Sequence, residues 1–199
     1  MTDGKLFSKP QIILASSSPR RRELLDQIQV SYEVLPVNID ESHIPGEVAE
    51  HFVKRLAAEK AQAGYHQKPH RLTLGSDTIV VIGLNILGKP ENKAQAVEML
   101  SLLSGNTHQV MTAVAVHSKQ YKACVLSVSD VEFAELTDQQ IDAYWETGEP
   151  KDKAGAYGVQ GIAAQFIKKI NGSYSGIMGL PLFETAQLLK ESGIKLLTH

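Results

Sequence analysis

Leu72-Thr73-Leu74-Gly75-Ser76-Asp77-Thr78-Ile79-Val80-Val81-Ile82 is an almost unbroken apolar run with a carboxylate in its middle. A run of this length and composition, closed by the turn residues Gly83-Leu84-Asn85, reads as a β-strand. An aspartate seldom enters such a strand unless it is paired or binds a metal. A strand terminator or turn cap is the plain alternative, but the apolar pattern resumes at once after Asp77, which favours a functional role.

Working outward, Gln11 to Ala15 reads as a short buried strand, and Ser18-Pro19 opens a helix with serine as N-cap and proline at the first helical position. Tyr32 to Val37 reads as a strand, Asn38 to Gly46 as a polar loop, and Glu47 to Gly64 as an amphipathic helix with Phe52, Val53, Leu56 and Ala57 on one side. Beyond the central run, Asn92 to Leu103 is helical with Gly105 just past its end. Thr107 to His117 and Tyr121 to Glu135 form two long antiparallel strands. Thr137 starts a helix with Gln140 in the capping-box position, stopped by Gly148 and Pro150. Lys151 to Gly161 is a glycine-containing loop, Ala163 to Ile170 a strand, Asn171-Gly172 a turn, and Pro181 opens a last helix that Gly193 ends. Strands and helices alternate around an antiparallel portion, without repeats or linkers. The expected fold is α/β, a mixed, partly antiparallel twisted sheet with flanking helices, in a single domain over residues 1–199.

Composition narrows the function. With 43% hydrophobic and 21% charged residues the chain is globular, and a formal net charge of -2 offers no basic field for a nucleic-acid polymer. A small anionic substrate needs only a few local cations. The single cysteine, Cys124, cannot form an internal disulfide, which suits a reducing cytoplasm, and its strand-like setting predicts a buried, inert thiol. The opening Met1 to Phe7 segment lacks the apolar core of a signal peptide, and no stretch is long and apolar enough for a membrane span.

Four further features break local rules. Arg20-Arg21-Arg22 fall in the first turn of a helix, where each cation opposes the dipole by about 0.3–1 kcal/mol and an anion would reverse the sign. A serine-rich turn, a helix N-terminus and arginines make a phosphate cradle, although a solvated basic surface fits the spacing equally well. Lys60 lies on the apolar stripe of its helix, either snorkelling outward or directed into a cleft. Lys89 is held between Gly88 and Pro90. Asp40 and Glu41 sit in a loop where plain solvation is usual; if they meet Asp77, carboxylates with water and phosphate oxygens are a natural magnesium ligand set. His66 and His70 are separated by Pro69 and do not form a helical zinc pair. There is no Walker or GxGxxG motif, and Gly172 to Gly176 departs too far from a nucleophile elbow to count as one.

Taken together, these residues resemble the Maf family of nucleotide pyrophosphatases, also called septum-formation-inhibitor-like proteins, from about Ile12 to the final helix. The resemblance rests on ordered motifs. They are Leu-Ala-Ser-Ser-Ser-Pro-Arg-Arg at 14–21, Asp40-Glu41, Ala-Ala-Glu-Lys-Ala at 57–61, Gly-Ser-Asp-Thr at 75–78, Leu-Gly-Lys-Pro at 87–90 and Leu-Ser-Gly-Asn-Thr-His at 103–108. The most specific is Glu-Pro-Lys-Asp-Lys-Ala-Gly-Ala-Tyr-Gly-Val-Gln-Gly at 149–161, followed by Gly-Leu-Pro-Leu at 179–182. Many members carry Gly-Ala-Asp-Thr where this chain has Ser76.

The resemblance implies two lobes around a cleft, an architecture related to the inosine triphosphate pyrophosphatases, and a cytoplasmic enzyme, often a homodimer, using magnesium or manganese. It implies cleavage of dTTP and UTP to the monophosphate and pyrophosphate. Asp77, Lys60 and Lys89 would be catalytic, Glu41 and Asp77 metal ligands, and Ser16 and Arg21 phosphate-binding. Base choice would fall to Arg20, Thr78 and Gln160. A 7-methyl-GTP-type enzyme would have glutamine in place of Thr78 and a changed Ala-Tyr-Gly-Val-Gln loop. A non-catalytic regulator of cell division is the reading from another class, disfavoured by the intact set of carboxylates and lysines.

Overall fold

The computed structural model describes residues 10–196; the opening Met1 to Phe7 segment lies outside them. In chain order the elements are β1 (Ile12–Leu14), α1 (Pro19–Gln27), β2 (Tyr32–Val34), α2 (Ala49–Gln67), β3 (Thr73–Ile82), β4 (Asn85–Leu87), α3 (Lys93–Leu103), β5 (Thr107–His117), β6 (Lys122–Phe133), α4 (Asp138–Glu146), β7 (Ile167–Asn171), α5 (Tyr174–Met178) and α6 (Leu182–Glu191). Short 3₁₀ turns at Glu149–Asp152, Ala154–Ala156 and Ile162–Phe166 carry the chain from α4 to β7.

The seven strands form one mixed sheet in the order β2-β1-β3-β5-β6-β7, with β4 paired to β3. The β1 pairings with β2 and β3 are parallel, and every other pairing is antiparallel. Thus the quoted run is the strand where the parallel and antiparallel portions meet.

Alternation along β3 and β5 divides their side chains between two faces. On one face Ile79, Val81, Met111, Ala113 and Ala115 pack beneath Phe52, Val53, Leu56, Ala57 and Ala61 of α2. On the other, Leu74, Val114 and Val116 join β1, α1 and α6, while Val80, Val110, Val131 and Phe133 join α3 and α4. Between those two apolar blocks the face turns polar, with Ser76, Thr112, Ser127 and Ser129 buried beneath the short helix α5.

Local signals are borne out at several ends. Thr137 and Gln140 make a reciprocal capping box on α4, and Gly105 and Gly193 take positive φ after α3 and α6. Elsewhere tertiary contacts prevail. Ser18 occupies the N-cap of α1 but makes no side-chain cap bond; its own N–H donates instead to Ser16 Oγ at 3.2 Å. The expected strand from Ala163 begins only at Ile167, because the N–H groups of Ile162 and Ala163 turn inward onto the Glu149 carboxylate. Asn171-Gly172 leads into α5 rather than a hairpin. The expected second strand ends at Val34, and the three-residue β4 follows a turn from which no strand was expected. Cys124 is not buried: the residue is exposed, its Sγ donating to the Lys54 carbonyl at 3.8 Å. Partial desolvation pushes its thiol up, against Lys54 pulling the other way, as for an unreactive cysteine. Among the described residues no helix is long and apolar enough to cross a membrane.

Candidate active site

The β3 strand is paired along one edge with β5 from Thr73 to Val81. Its other edge pairs with β1 at Thr73 and Leu74 and with β4 from Val80 to Ile82. From Gly75 to Ile79 no strand of the described residues lies beside that edge. A cavity of about 830 Å³ opens there, rimmed by the loop after β1, the loop before α2, the Gly88-Lys89 turn, the 152–160 segment and the end of α5. Adjacent residues on a strand point to opposite faces, yet Asp77 and Thr78 both line this cavity, which reaches them around the unpaired edge. Ser16, Arg20, Arg21, Glu41, Lys60, Lys89 and Gln160 line it too.

On the α2 face, a glycine sets the spacing. A Cβ at Gly75 would lie 2.4 Å from the Ala57 carbonyl oxygen and 2.5 Å from the Ala61 nitrogen, so the helix rests directly on the strand backbone. That approach sets Lys60 over Asp77. Its Nζ lies 2.7 Å from Asp77 Oδ1 and 2.7 Å from Glu41 Oε1. Lys60 and Asp77 are both buried, so the lysine does not snorkel. Buried charges are tolerated only when paired, and here one ammonium bridges two carboxylates. Burial pushes the Glu41 carboxyl up, but the hydrogen bond and charge of Lys60, with Lys89 and Arg21 beyond it, hold it below the usual carboxylate range. Lys89 is exposed and lines the cavity as well.

The arginine triplet divides. Arg21 Nη1 donates to Ser16 Oγ at 2.9 Å and its Nε to the Gly179 carbonyl at 2.9 Å, which ties α1 to the end of α5. Loss of water pushes this guanidinium down, while Asp77 pulls it back up. Arg20 reaches Asp152 Oδ2 at 3.3 Å and the Asp152 carbonyl at 3.4 Å, so it spans the cleft to the 149–161 segment. Arg22 does not line the cavity.

On the other face, Thr78 Oγ1 contacts Thr112 Oγ1 at 2.9 Å, and Thr112 Oγ1 donates to the Gly176 carbonyl at 2.7 Å. Ser76, one residue before the acid, donates to the Ala113 and Gly179 carbonyls. The 149–161 segment is built around Glu149, which accepts from Tyr144 Oη at 2.7 Å and the Ile162 and Ala163 N–H groups at 2.8 and 3.3 Å. A Cβ at Gly161 would lie 2.2 Å from Glu149 Oε2, so any larger residue would have to displace that carboxylate from its donors. Tyr157, on the cavity wall, bonds His108 Nε2 at 2.8 Å in the core behind it. Gln160 stands exposed at the rim.

Glu149, Tyr157, His108 and Thr112, which form or back the cavity walls, were not singled out individually from the sequence. Glu149, Tyr157 and His108 fall inside recognised motifs, so a signal existed; Thr112 gave none, being one threonine in a strand.

The donor set is oxygen-rich. Among the described residues no three His, Cys, Asp or Glu side chains form a ready metal cage. Glu41 and Asp77 already share one cation, however, and two carboxylates completed by water and substrate phosphate are the usual holding for Mg²⁺. The residues fit such an ion.

Residues 11–192 match the family described as Maf-like protein. A protein of Pseudoalteromonas atlantica named dTTP/UTP pyrophosphatase is 51% identical over 187 residues, 92% of this chain and 97% of its own. Proteins of the same name from Alkalilimnicola ehrlichii and Hahella chejuensis are 51% and 47% identical, covering 96% and 98% of this chain and 97% and 98% of their own. Among solved structures, the Staphylococcus aureus Ham1 protein superposes with a TM-score of 0.52 at 15% identity, over 92% of this chain and 98% of that one, a likeness of fold alone.

Proposed function

The chain belongs to the Maf-like protein family, and from that premise we propose that it hydrolyses dTTP and UTP to the nucleoside monophosphate and pyrophosphate. The observation that carries this reading is the near-50% identity, over almost the whole chain, to relatives named for that activity.

The chemistry asks for charge neutralisation and an in-line water. A triphosphate repels the attacking oxygen, so cations must hold its phosphates. Lys60, Lys89 and Arg21 are suited to that task, with Ser16 donating a hydroxyl proton where its contact to Arg21 leaves it free. Asp77 takes the proton from the attacking water at a carboxylate oxygen. The water oxygen bonds the α-phosphorus while the bond from that phosphorus to the bridging oxygen breaks, and pyrophosphate leaves. A divalent ion, magnesium or manganese, held by Glu41 and Asp77 would neutralise phosphate oxygens and template the leaving group. On the far side of β3, the pyrimidine would lie against Thr78 with Gln160 and Arg20 at the rim. A cytoplasmic homodimer is the setting we infer from the family.

Chromatography of the products tests this reading. UMP and pyrophosphate are expected from UTP, with ¹⁸O from labelled water found in the UMP. UDP and orthophosphate as the main products would overturn it.

A further inference from the structure

We propose that Lys60 is a placeholder for the divalent ion: its ammonium occupies the Glu41–Asp77 carboxylate pair until a triphosphate arrives, so that metal binds with the nucleotide and not ahead of it. The inference rests on the reading of those two carboxylates as metal ligands and concerns what governs access to them.

One ammonium engages both acids. Lys60 Nζ lies 2.7 Å from Asp77 Oδ1 and 2.7 Å from Glu41 Oε1. These are the distances of strong, charge-assisted hydrogen bonds. A divalent ion that takes the same two carboxylates meets a cation already bonded to both, in a pocket where burial weakens screening. The two occupants exclude one another unless Lys60 turns to a different anion.

The lysine cannot retreat by shifting its helix. Two close approaches to the sheet flank it along α2. Gly75 lies against Ala57 and Ala61, and a Cβ at Gly64 would lie 2.7 Å from Thr73 Cγ2 and 3.1 Å from Ala15 Cβ. Asp77 is fixed as well, within the paired length of β3. What can move is the ammonium, along the cavity it lines, and Glu41, whose side chain is 58% exposed on the irregular loop before α2.

Charge balance sets when that happens. Five cationic and four anionic side chains line the cavity, so without nucleotide the lining carries surplus positive charge. A divalent ion alone deepens that surplus and also strips Lys60 of its partners. A triphosphate reverses the sign and supplies phosphate oxygens that receive the displaced ammonium. Metal and substrate are thereby coupled through one side chain, each favouring the entry of the other.

The test titrates Mn²⁺ into nucleotide-free protein and follows free Mn²⁺ by electron paramagnetic resonance. It compares the wild type, Lys60→Met and the double variant Lys60→Met with Asp77→Asn, with thermal melting alongside. Lys60→Met removes the competing cation and leaves two facing carboxylates, so it should bind Mn²⁺ ~10-fold or more tighter than the wild type. The double variant should lose the gained site. Equal Mn²⁺ affinity in the wild type and Lys60→Met would overturn the proposal, leaving the pyrophosphatase reading intact. If Lys60→Met does not fold, the wild type decides with the non-hydrolysable α,β-methylene-UTP. Mn²⁺ binding that Asp77→Asn abolishes should then be ~10-fold tighter with the analogue than without it; equal binding overturns the inference. If Mn²⁺ finds no Asp77-dependent site in any of these proteins, with the analogue or without, the reading of Glu41 and Asp77 as metal ligands falls too.

Discussion

The Lys60 ammonium and the Asp77 carboxylate meet at 2.7 Å across a helix–strand contact whose closeness depends on Gly75, two residues before the acid. The lysine also bonds Glu41, so Asp77 is held by charge while one side of it stays open to the cavity.

Replacing Asp77 with asparagine keeps the shape and removes the basicity. Asp77→Asn should lower kcat by ~10²–10⁴-fold, as expected for loss of a positioned base. Circular dichroism and melting should stay close to wild type, since Lys60 keeps Glu41 as a partner. Near-wild-type kcat would make Asp77 a structural residue.

Glu149 predicts a different kind of loss. Both carboxylate oxygens accept, from Tyr144 and from the Ile162 and Ala163 N–H groups. Glu149→Gln aims an amide N–H₂ at donors it cannot bond, at a cost of about 1–3 kcal/mol for the stranded groups. The 152–160 segment should loosen, seen as faster amide exchange there and a raised KM with a smaller change in kcat. Unchanged exchange across that segment would show that Glu149 does not organise it.

His108 ties stability to acid. Burial between Phe133 and Tyr157 pushes its imidazole down to about 4, below the ordinary 6.5. A depressed folded-state value means the unfolded chain binds the proton more readily between those limits. The contribution is present above pH 6.5 and is lost as pH falls through about 4, a total of about 3 kcal/mol at ~1.4 kcal/mol per unit. The melting temperature should fall across that window. His108→Gln, which does not titrate and can still partner Tyr157, should flatten the fall; an equally steep limb in the variant would assign it to other groups.

Much of this was legible before any coordinates. Apolar periodicity located β3, β5, β6 and α2, because long elements average over many side chains. The carboxylate inside β3 and the lysine on the apolar stripe of α2 were visible as departures from the local pattern, each with a plain alternative, and they face each other. What escaped was decided by contacts distant in sequence. Ser18 leaves its cap unused, and its own N–H is taken up by Ser16 Oγ. Residues 162–166 curled because Glu149 needed donors. Thr112 is an ordinary strand threonine until Gly176, sixty-four residues later, is laid over it. The resemblance could name Thr78; the hydroxyl contact behind it lay in the tertiary structure.

The unpaired stretch of β3 also acts as a partition. Side chains on a strand cannot trade faces without a one-residue slip that would displace the whole hydrophobic set. On the proposed reading, the pleat keeps the Asp77 side, where the bond would break, apart from the Thr78 side, where the base would lie, one peptide unit away. Loops on the reading side can lengthen, shorten or change composition while the acid, its lysine and the helix that delivers it stay where they are. A lineage built on this strand could revise which nucleotide it destroys without relearning how to destroy one.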